Sequence, residues 1–321
     1  MTSHSTSARP RLGFIGLGLL GSAMAQRLLE QGWALTVWNL EPERMAPLVA
    51  AGAVAAPNPA GVAAASDIVL LCVLDGPAVQ ACVFGDGGIA SAGPAAGKLL
   101  LDHSTITPDA TRAMAARLAA ETGMGWVDAP VSGGPLQARD GTLTLMTGGS
   151  EADFARAGPV FADLAANCTR MGPVGAGQAA KTINQAIVGT GYVLMAEALV
   201  LAEVAGIAAA DLPRCLAGGL ADSGLLQKIY PQMQARDFAQ PRGYARQLLK
   251  DMRAVQALSS QLQLDLPLVA AATARYADYV GRGNETADSA SVVRLYDEEA
   301  GLSAGQGAPI SAAAPPGSGC P

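Results

Sequence analysis

A glycine-rich segment near the start of the chain constrains its fold more than any other feature. Residues 12–21 read Leu-Gly-Phe-Ile-Gly-Leu-Gly-Leu-Leu-Gly, an apolar run followed by Gly16, Gly18 and Gly21. In this G-x-G-x-x-G spacing the first glycine permits a sharp turn, the second lets a pyrophosphate approach, and the third lets helix and strand pack closely. The motif would also fit a tight turn in any α/β protein. Because it opens a strand–helix–strand unit here, we expect a dinucleotide site.

Short apolar runs alternate with longer helical stretches from this motif to about residue 172. The predicted strands are 12–15, 34–38, 67–73, 99–102, 125–128, 142–147 and 168–171, and the predicted helices are 19–31, 42–51, 77–84, 108–122 and 151–164. Such alternation predicts crossover units and a mostly parallel sheet. The fold class is therefore α/β, with an N-terminal Rossmann-type doubly wound sheet.

Strand patterns stop after Gly172, and the rest of the chain predicts only helices, at 175–206, 209–218, 224–235, 245–263 and 267–282. The first of these carries only Lys181, Glu197 and Glu203 as charged residues. We therefore expect it to be buried on nearly all faces, against other helices or a second subunit. An all-helical C-terminal domain follows the sheet.

The domain organisation follows from these patterns. We predict a flexible leader at 1–10, a dinucleotide-binding domain at 11–173, and an all-helical substrate and oligomerisation domain at 174–300. The tail at 301–321 is rich in Gly, Ala, Ser and Pro and is predicted to be disordered.

Composition excludes several classes of partner. The net charge of -6 and the absence of a Lys/Arg run disfavour binding to nucleic acid and to anionic membranes. The charge-free segment 182–196 is shorter than the roughly 20 residues that span a bilayer, and no signal peptide is recognisable. Five cysteines without a C-x-x-C pair indicate free thiols rather than disulfides or a zinc site. We expect a cytoplasmic protein without a metal.

The end of the second predicted strand bears on the choice of dinucleotide. An Asp there favours NAD, and a nearby Arg favours NADP. Here Asn39 can hydrogen-bond either ribose and Leu40 offers no phosphate clamp, although Arg44 is close in sequence. We expect NAD or NADP, with a slight preference for NAD. Asn39 could also cap the helix that starts at Pro42, and the two roles are compatible.

Hydride transfer to a carbonyl leaves negative charge on oxygen, so a proton donor is needed. The chain has two histidines, His4 in the polar leader and His103 at the end of a predicted strand, where an ordinary loop residue is the favoured interpretation. Lys181 lies in the most apolar helix, where lost hydration eases proton release. The alternative is a lysine that extends its ammonium group to water. The residues alone leave both interpretations open.

Five motifs occur in a characteristic order along the chain. They are residues 13–21, 102–106 (Asp-His-Ser-Thr-Ile), 128–134 (Asp-Ala-Pro-Val-Ser-Gly-Gly), 175–185 (Gly-Ala-Gly-Gln-Ala-Ala-Lys-Thr-Ile-Asn-Gln) and Lys250-Asp251. Together they resemble the β-hydroxyacid dehydrogenase family from about Leu12 to Tyr296. The resemblance implies an NAD(P)-dependent enzyme that interconverts a short 3-hydroxy acid and its semialdehyde or oxo acid. It also implies a small carboxylate substrate and a homodimer or homotetramer.

The resemblance also assigns roles to residues of this chain. Lys181 would be the acid/base group, and Asn184 would orient it or the substrate. The implied substrate-binding residues are Ser132, Gly133, Gly134, Gln185 and Lys250. The implied cofactor-binding residues are Gly16, Leu17, Gly18, Leu19, Leu20, Gly21, Asn39, Leu40, Val73, Leu74, Ser104, Thr105, Lys250 and Asp251.

Departures from the family pattern leave alternatives open. Leu40 stands where NADP-dependent members often have Arg, and segment 218–223 is more similar to tartronate semialdehyde reductases than to hydroxyisobutyrate dehydrogenases. Imine reductases on the same scaffold usually replace the lysine with Asp or Tyr, and non-catalytic relatives lose it. A phosphorylated sugar acid would need a cationic clamp, for which Arg236, Arg242 and Arg246 are the candidates.

Overall fold

The computed structural model describes residues 9–302. Nearly all of the predicted leader and tail therefore lies outside the described residues. By compactness the chain divides between Asn184 and Gln185 into two units. The division falls inside a long helix rather than at the Gly- and Pro-rich segment before it, because the first turns of that helix are hydrogen-bonded to residues of the first unit.

A nine-stranded sheet forms the centre of the first unit. Its strands are β1 (Leu12–Ile15), β2 (Leu35–Trp38), β3 (Val54–Ala55), β4 (Ile68–Leu71), β5 (Leu99–Asp102), β6 (Gly125–Asp128), β7 (Val131–Ser132), β8 (Leu143–Gly148) and β9 (Ala165–Gly172). Neighbours in the order β3-β2-β1-β4-β5-β6 are all parallel. This is the doubly wound order, so the predicted fold class is confirmed. Beyond β6, strand β8 runs antiparallel to β6 and β7 and parallel to β9.

Helices connect the strands of this sheet. They are α1 (Leu19–Glu30), α2 (Ala46–Ala50), α3 (Pro59–Ala65), α4 (Gly76–Phe84), α5 (Pro108–Thr122), α6 (Pro135–Asp140) and α7 (Glu151–Leu164). Side chains alternate between the two faces of each strand, so Ile68 and Leu70 of β4 join one buried cluster and Val69 joins another. Because both faces are covered, the central strands are apolar almost throughout.

The sequence prediction missed two short strands, β3 and β7, two short α-helices, α3 and α6, and a 3-10 helix at Ile89–Ala92. A two-residue strand is too short to show alternating apolar and polar residues, and its pairing is set by neighbouring strands. The helix predicted at 42–51 is instead a 3-10 turn, Pro42–Met45, followed by α2. Pro47 explains the break, since its ring lacks an N–H and disturbs the preceding turn.

The second unit is helical, as predicted. Helix α8 (Ala176–Val204) enters it, and α9 (Leu212–Leu216), α10 (Gly224–Gln234), α11 (Ala245–Gln261), α12 (Pro267–Tyr279) and α13 (Val293–Glu299) follow. Within its described residues the only strand-like pairing is an isolated bridge between Tyr244 and Asp288. The prediction missed α13, and it extended α12 three residues past Tyr279, up to the kink at Gly283, where φ is 87°.

Helix α8 is less covered than its composition suggests. One face is buried, with Ala196 and Leu199 fully inaccessible, but Ile187, Leu194 and Leu201 are exposed. The prediction of burial on nearly all faces is therefore wrong for the single chain. By length and composition alone α8 could cross a membrane, and 33% of its most apolar window is buried within the protein.

Candidate active site

The glycine loop between β1 and α1 leaves room for a ligand at one position only. A Cβ on Gly16 would lie 2.3 Å from the Cys72 carbonyl oxygen, and one on Gly21 would lie 2.0 Å from the Gly16 carbonyl oxygen. Both glycines are therefore required by packing. A Cβ on Gly18 would meet nothing within 4 Å, and no side chain caps the N-terminus of α1. Open space beside uncapped N–H groups fits the pyrophosphate of a nicotinamide dinucleotide.

The side chain of Asn39 is buried and hydrogen-bonded to this loop instead of pointing into solvent. Its buried side-chain oxygen accepts a 2.7 Å hydrogen bond from the Leu17 N–H, and its Nδ2 donates to the Glu41 carboxylate at 2.7 Å. Asn39 does not cap the turn at Pro42, because that turn begins at Glu41 and has no side-chain cap. The side chains left toward solvent at this corner are Glu41, which pairs with Arg44 at 3.4 Å, and Leu40, which is 78% exposed.

The ends of β4 and β5 carry the next predicted cofactor residues. The Val73 N–H donates to Ser104 Oγ at 3.0 Å, which joins the two segments. Leu74 is exposed and Thr105 is partly exposed, whereas Ser104 is buried. Because β4 and β5 are parallel, these residues share the edge of the sheet at which β1 leads into the glycine loop. The predicted cofactor residues of the first unit thus lie along one edge.

Two buried groups support the segment after β5. Asp102 Oδ1 accepts from the Ser104 N–H at 3.0 Å, while its other oxygen has no hydrogen-bond partner among the described residues. Burial raises the pKa of Asp102 to about 7. His103 Nδ1 lies 2.7 Å from the Ala129 carbonyl oxygen, which requires the proton on Nδ1. Burial lowers the pKa of His103 to about 4, so its imidazole is neutral near pH 7 and is a poor proton donor.

Asp128, at the end of β6, anchors the start of α8. Its two carboxylate oxygens accept from the backbone N–H groups of Gly175 at 2.7 Å and Gln178 at 2.9 Å. A carboxylate at a helix N-terminus satisfies N–H groups that lack partners within the helix and also opposes the positive end of the dipole. Burial raises the pKa of this carboxyl group. The first turn of α8 is thereby fixed to the sheet.

The predicted catalytic residues follow on α8. Lys181 is only 8% exposed, and Asn184 is partly buried one helical turn later on the same side. The predicted substrate turn lies after β7, where Gly133 and Gly134 have φ of 139° and 85°. Residues with side chains rarely adopt these values, so the two glycines are needed for the turn itself.

The remaining predicted residues form a cluster within the second unit. Gln185 Nε2 donates to Asp251 Oδ2 at 2.7 Å, and Lys250 Nζ lies 3.2 Å from Asp251 Oδ1. Gln185 and Asp251 line a cavity of about 190 Å³ together with Tyr192 and Tyr244. The roles of Gln185, Lys250 and Asp251 in binding substrate or cofactor stay predictions.

Two sequence models of known families cover this chain. Residues 11–172 match the NAD binding domain of 6-phosphogluconate dehydrogenase, and residues 175–296 match the NAD-binding domain of NADP-dependent 3-hydroxyisobutyrate dehydrogenase. The chain belongs to the β-hydroxyacid dehydrogenase family. It is an NAD(P)-dependent hydroxyacid oxidoreductase, as the family resemblance implied.

Individual members of the β-hydroxyacid dehydrogenase family match over nearly their whole length. The chain is 34% identical over 299 residues to 2-(hydroxymethyl)glutarate dehydrogenase of Eubacterium barkeri, covering 92% of this chain and 98% of the relative. It is 36% identical over 287 residues to 2-hydroxy-3-oxopropionate reductase of Escherichia coli, covering 89% and 97%. The crystal structure of a 3-hydroxyisobutyrate dehydrogenase from Salmonella typhimurium superposes with a TM-score of 0.80 at 30% identity, covering 89% and 99%.

Sequence reasoning on this β-hydroxyacid dehydrogenase missed the roles of four side chains that the structure places beside the predicted residues. Glu41 holds Asn39, the Asp102 and Asp128 carboxylates hold two backbone segments, and Gln178 lies between those segments. A signal was available for the aspartates, because a charged residue ends each of two otherwise buried strands. For Glu41 no local pattern indicates the contact.

Proposed function

We propose that the enzyme interconverts a short 3-hydroxy acid and its semialdehyde or oxo acid, of the 3-hydroxyisobutyrate or 2-hydroxy-3-oxopropionate type. The observation that carries this proposal is a lysine, Lys181, buried on a helix whose first turn is fixed by Asp128. A bound nicotinamide supplies or accepts the hydride. Lys181 gives a proton to the substrate oxygen during reduction and removes it during oxidation.

Burial suits Lys181 to this task. An ammonium group removed from water loses hydration, which destabilises its charged form and eases proton release. Asn184, one turn along the same helix, is placed to hydrogen-bond the reacting oxygen or to orient the lysine. The turn formed by Ser132, Gly133 and Gly134 offers a hydroxyl and backbone N–H groups to the substrate carboxylate.

Substitution of the lysine tests the proposal. Lys181→Ala and Lys181→Met should lower kcat by about 10²- to 10⁴-fold, the usual contribution of a general acid or base. Binding of NADH, measured by fluorescence titration, should change little. Lys228→Ala, which removes an exposed lysine of α10, is the matched control and should keep full activity. A near-normal kcat in the Lys181 variants would refute the assignment.

The substrate itself requires a direct screen. A panel of short hydroxy acids and semialdehyde acids, assayed with NAD(H) and NADP(H), should single out one compound by kcat/KM. Pockets distinguish a methyl group from a hydrogen by only about 1–3 kcal/mol, so ratios of roughly 10- to 200-fold are expected between close analogues. Activity on none of these acids, alongside a folded protein that binds NADH, would exclude this substrate class.

We further propose that NAD is the preferred cofactor. The corner that follows β2 carries the Glu41 carboxylate and the apolar Leu40, and the only nearby cation, Arg44, is already paired with Glu41 within the described residues of this corner. A 2′-phosphate needs a cationic clamp, and a carboxylate repels it. The same carboxylate can accept hydrogen bonds from the hydroxyls of an unphosphorylated ribose.

We also propose that the enzyme is a soluble cytoplasmic homo-oligomer, in which α8 packs against α8 of a second copy. Ile187, Leu194 and Leu201 are exposed at seven-residue intervals, a spacing typical of helix–helix seams. An apolar, self-similar stripe pairs with its own copy without complementary charges. Light scattering after gel filtration should give a dimer or tetramer. Leu194→Glu should reduce the assembly, whereas Leu220→Glu, at a fully exposed loop position, should not.

A further inference from the structure

One buried glutamine joins the start of α8 to the segment that follows β5. Gln178 is fully buried, and its Nε2 donates a 2.7 Å hydrogen bond to the Ser104 carbonyl oxygen. Its Oε1 accepts from the Ile106 N–H at 3.2 Å. A single side-chain amide thus satisfies a carbonyl and an N–H of the same three-residue segment.

Both ends of this link are themselves fixed to the sheet. The Gln178 backbone N–H donates to Asp128, at the end of β6. Ser104 is held by Asp102, at the end of the neighbouring strand β5, and by Val73. Because β5 and β6 are adjacent and parallel, the two aspartates and Gln178 close a ring of hydrogen bonds. Such a ring fixes both the axial position and the rotation of the first turn of α8.

Lys181 lies one turn beyond Gln178 on the same side of α8. The segment of Ser104 and Thr105 lies at the sheet edge that also bears the glycine loop. We propose that Gln178 is a positioning residue that sets Lys181 relative to the nicotinamide end of the bound dinucleotide. This inference rests on the proposed role of Lys181.

The chemistry of the link requires an amide of this length. Glutamate would place an oxygen against the Ser104 carbonyl oxygen, and methionine fills a similar volume but neither donates nor accepts a strong hydrogen bond. Asparagine would be one methylene too short to reach both partners. Gln178→Met and Gln178→Glu therefore remove the link in two different ways.

The experiment compares these variants with the enzyme carrying Gln232→Met. Gln232 is also buried, and its amide donates to the Asp237 carbonyl oxygen within the second unit. All three variants disrupt the hydrogen bonding of a buried glutamine side chain, so thermal unfolding reports the structural cost of each. The distinguishing readouts are kcat, the dissociation constant of NADH, and the primary isotope effect with NADH deuterated at the transferred hydrogen.

We expect both Gln178 variants to lose about 10- to 100-fold in kcat, the cost of misplacing a reacting group by about 1 Å. Binding of NADH should change little, and the isotope effect should rise because hydride transfer becomes rate-limiting. Gln232→Met should keep both kcat and the isotope effect.

Two results would overturn the inference. One is a kcat loss in the Gln178 variants that merely follows the loss of folded protein, with an unchanged isotope effect. The other is an equal kinetic effect of Gln232→Met. Neither result affects the proposed function, which is tested separately by Lys181→Ala and by the substrate panel.

Discussion

Asp102 and Asp128 are partner residues at the ends of two adjacent parallel strands, and their carboxylates hold different backbone segments. Asp102 accepts from Ser104, whereas Asp128 accepts from Gly175 and Gln178. Both carboxyl groups are buried, and each has a raised pKa because burial disfavours its charged form. The pair links the segment after β5 to the helix that carries Lys181.

Replacing Asp102 by Asn should change how stability depends on pH. Its pKa is about 7 in the folded protein and ordinarily 3.8, so the folded state binds this proton more tightly than the unfolded chain does. The associated stability is present at acidic pH and is lost as pH rises toward 7. Asn cannot ionise, so its stability lacks this pH dependence. As pH rises from 5 to 8, the free energy of unfolding of Asp102→Asn should therefore increase by on the order of 2 kcal/mol relative to that of the wild type.

Urea unfolding of both proteins at several pH values measures this difference. A difference in free energy of unfolding that stays constant from pH 5 to pH 8 would contradict the raised pKa. His103 has the opposite effect on the pH dependence of stability. Its pKa is lowered to about 4 in the folded protein, so the stability it contributes is lost as pH falls below 6.5. The comparison of variant with wild type cancels that contribution.

Replacing Asp128 by Ala should destabilise the protein strongly. The change leaves the N–H groups of Gly175 and Gln178 buried without their acceptors. Each such group costs about 1–3 kcal/mol. Asp153→Ala removes a partly exposed aspartate that pairs with Arg156, and it should cost less than about 1 kcal/mol. Equal losses in the two variants, measured by urea unfolding, would contradict the anchoring role.

Two glycines of the loop should separate ligand binding from folding. Gly18→Ala adds a methyl group to open space, so stability should change by less than about 0.5 kcal/mol. NADH binding should weaken about tenfold, because the methyl group occupies space proposed for the pyrophosphate. Gly21→Ala places its methyl group 2.0 Å from a carbonyl oxygen and should cost about 1–3 kcal/mol.

Fluorescence titration with NADH and thermal unfolding distinguish these two effects. If Gly18→Ala bound NADH as tightly as the wild type, the pyrophosphate would lie elsewhere. If Gly21→Ala kept full stability, this would contradict the close approach of α1 to the Gly16 carbonyl oxygen.

Charge at the corner after β2 should control the choice between NAD and NADP. Leu40→Arg adds a cation where the side chain is exposed, and Glu41→Gln removes a carboxylate that would repel a 2′-phosphate. Each change should raise the NADP-to-NAD ratio of kcat/KM by about tenfold, equivalent to about 1.4 kcal/mol. Val49→Arg adds the same charge on α2 at an exposed position and serves as control. Unchanged ratios would show that selectivity is set by other residues.

Local sequence patterns predicted much of the fold. Strands β1, β5 and β6 and helices α5 and α7 have the predicted bounds, because short apolar runs mark the strands, Pro108 marks the first turn of α5, and Ser150 precedes the first turn of α7. The glycine loop could be predicted for the same reason, since its three glycines lie within six consecutive residues. Strands β3 and β7 were missed because two residues acquire strand geometry only from their neighbours in the sheet.

By itself the sequence determined that a parallel sheet with a glycine loop precedes an apolar helical segment bearing Lys181. Only the tertiary structure decided that Lys181 is buried, that Asn39 is hydrogen-bonded to the loop and to Glu41, and that Gln178 is hydrogen-bonded to Ser104. The physical reason is separation along the chain. Apolar periodicity acts between near neighbours, whereas these hydrogen bonds need donors and acceptors that meet only after the strands have aligned.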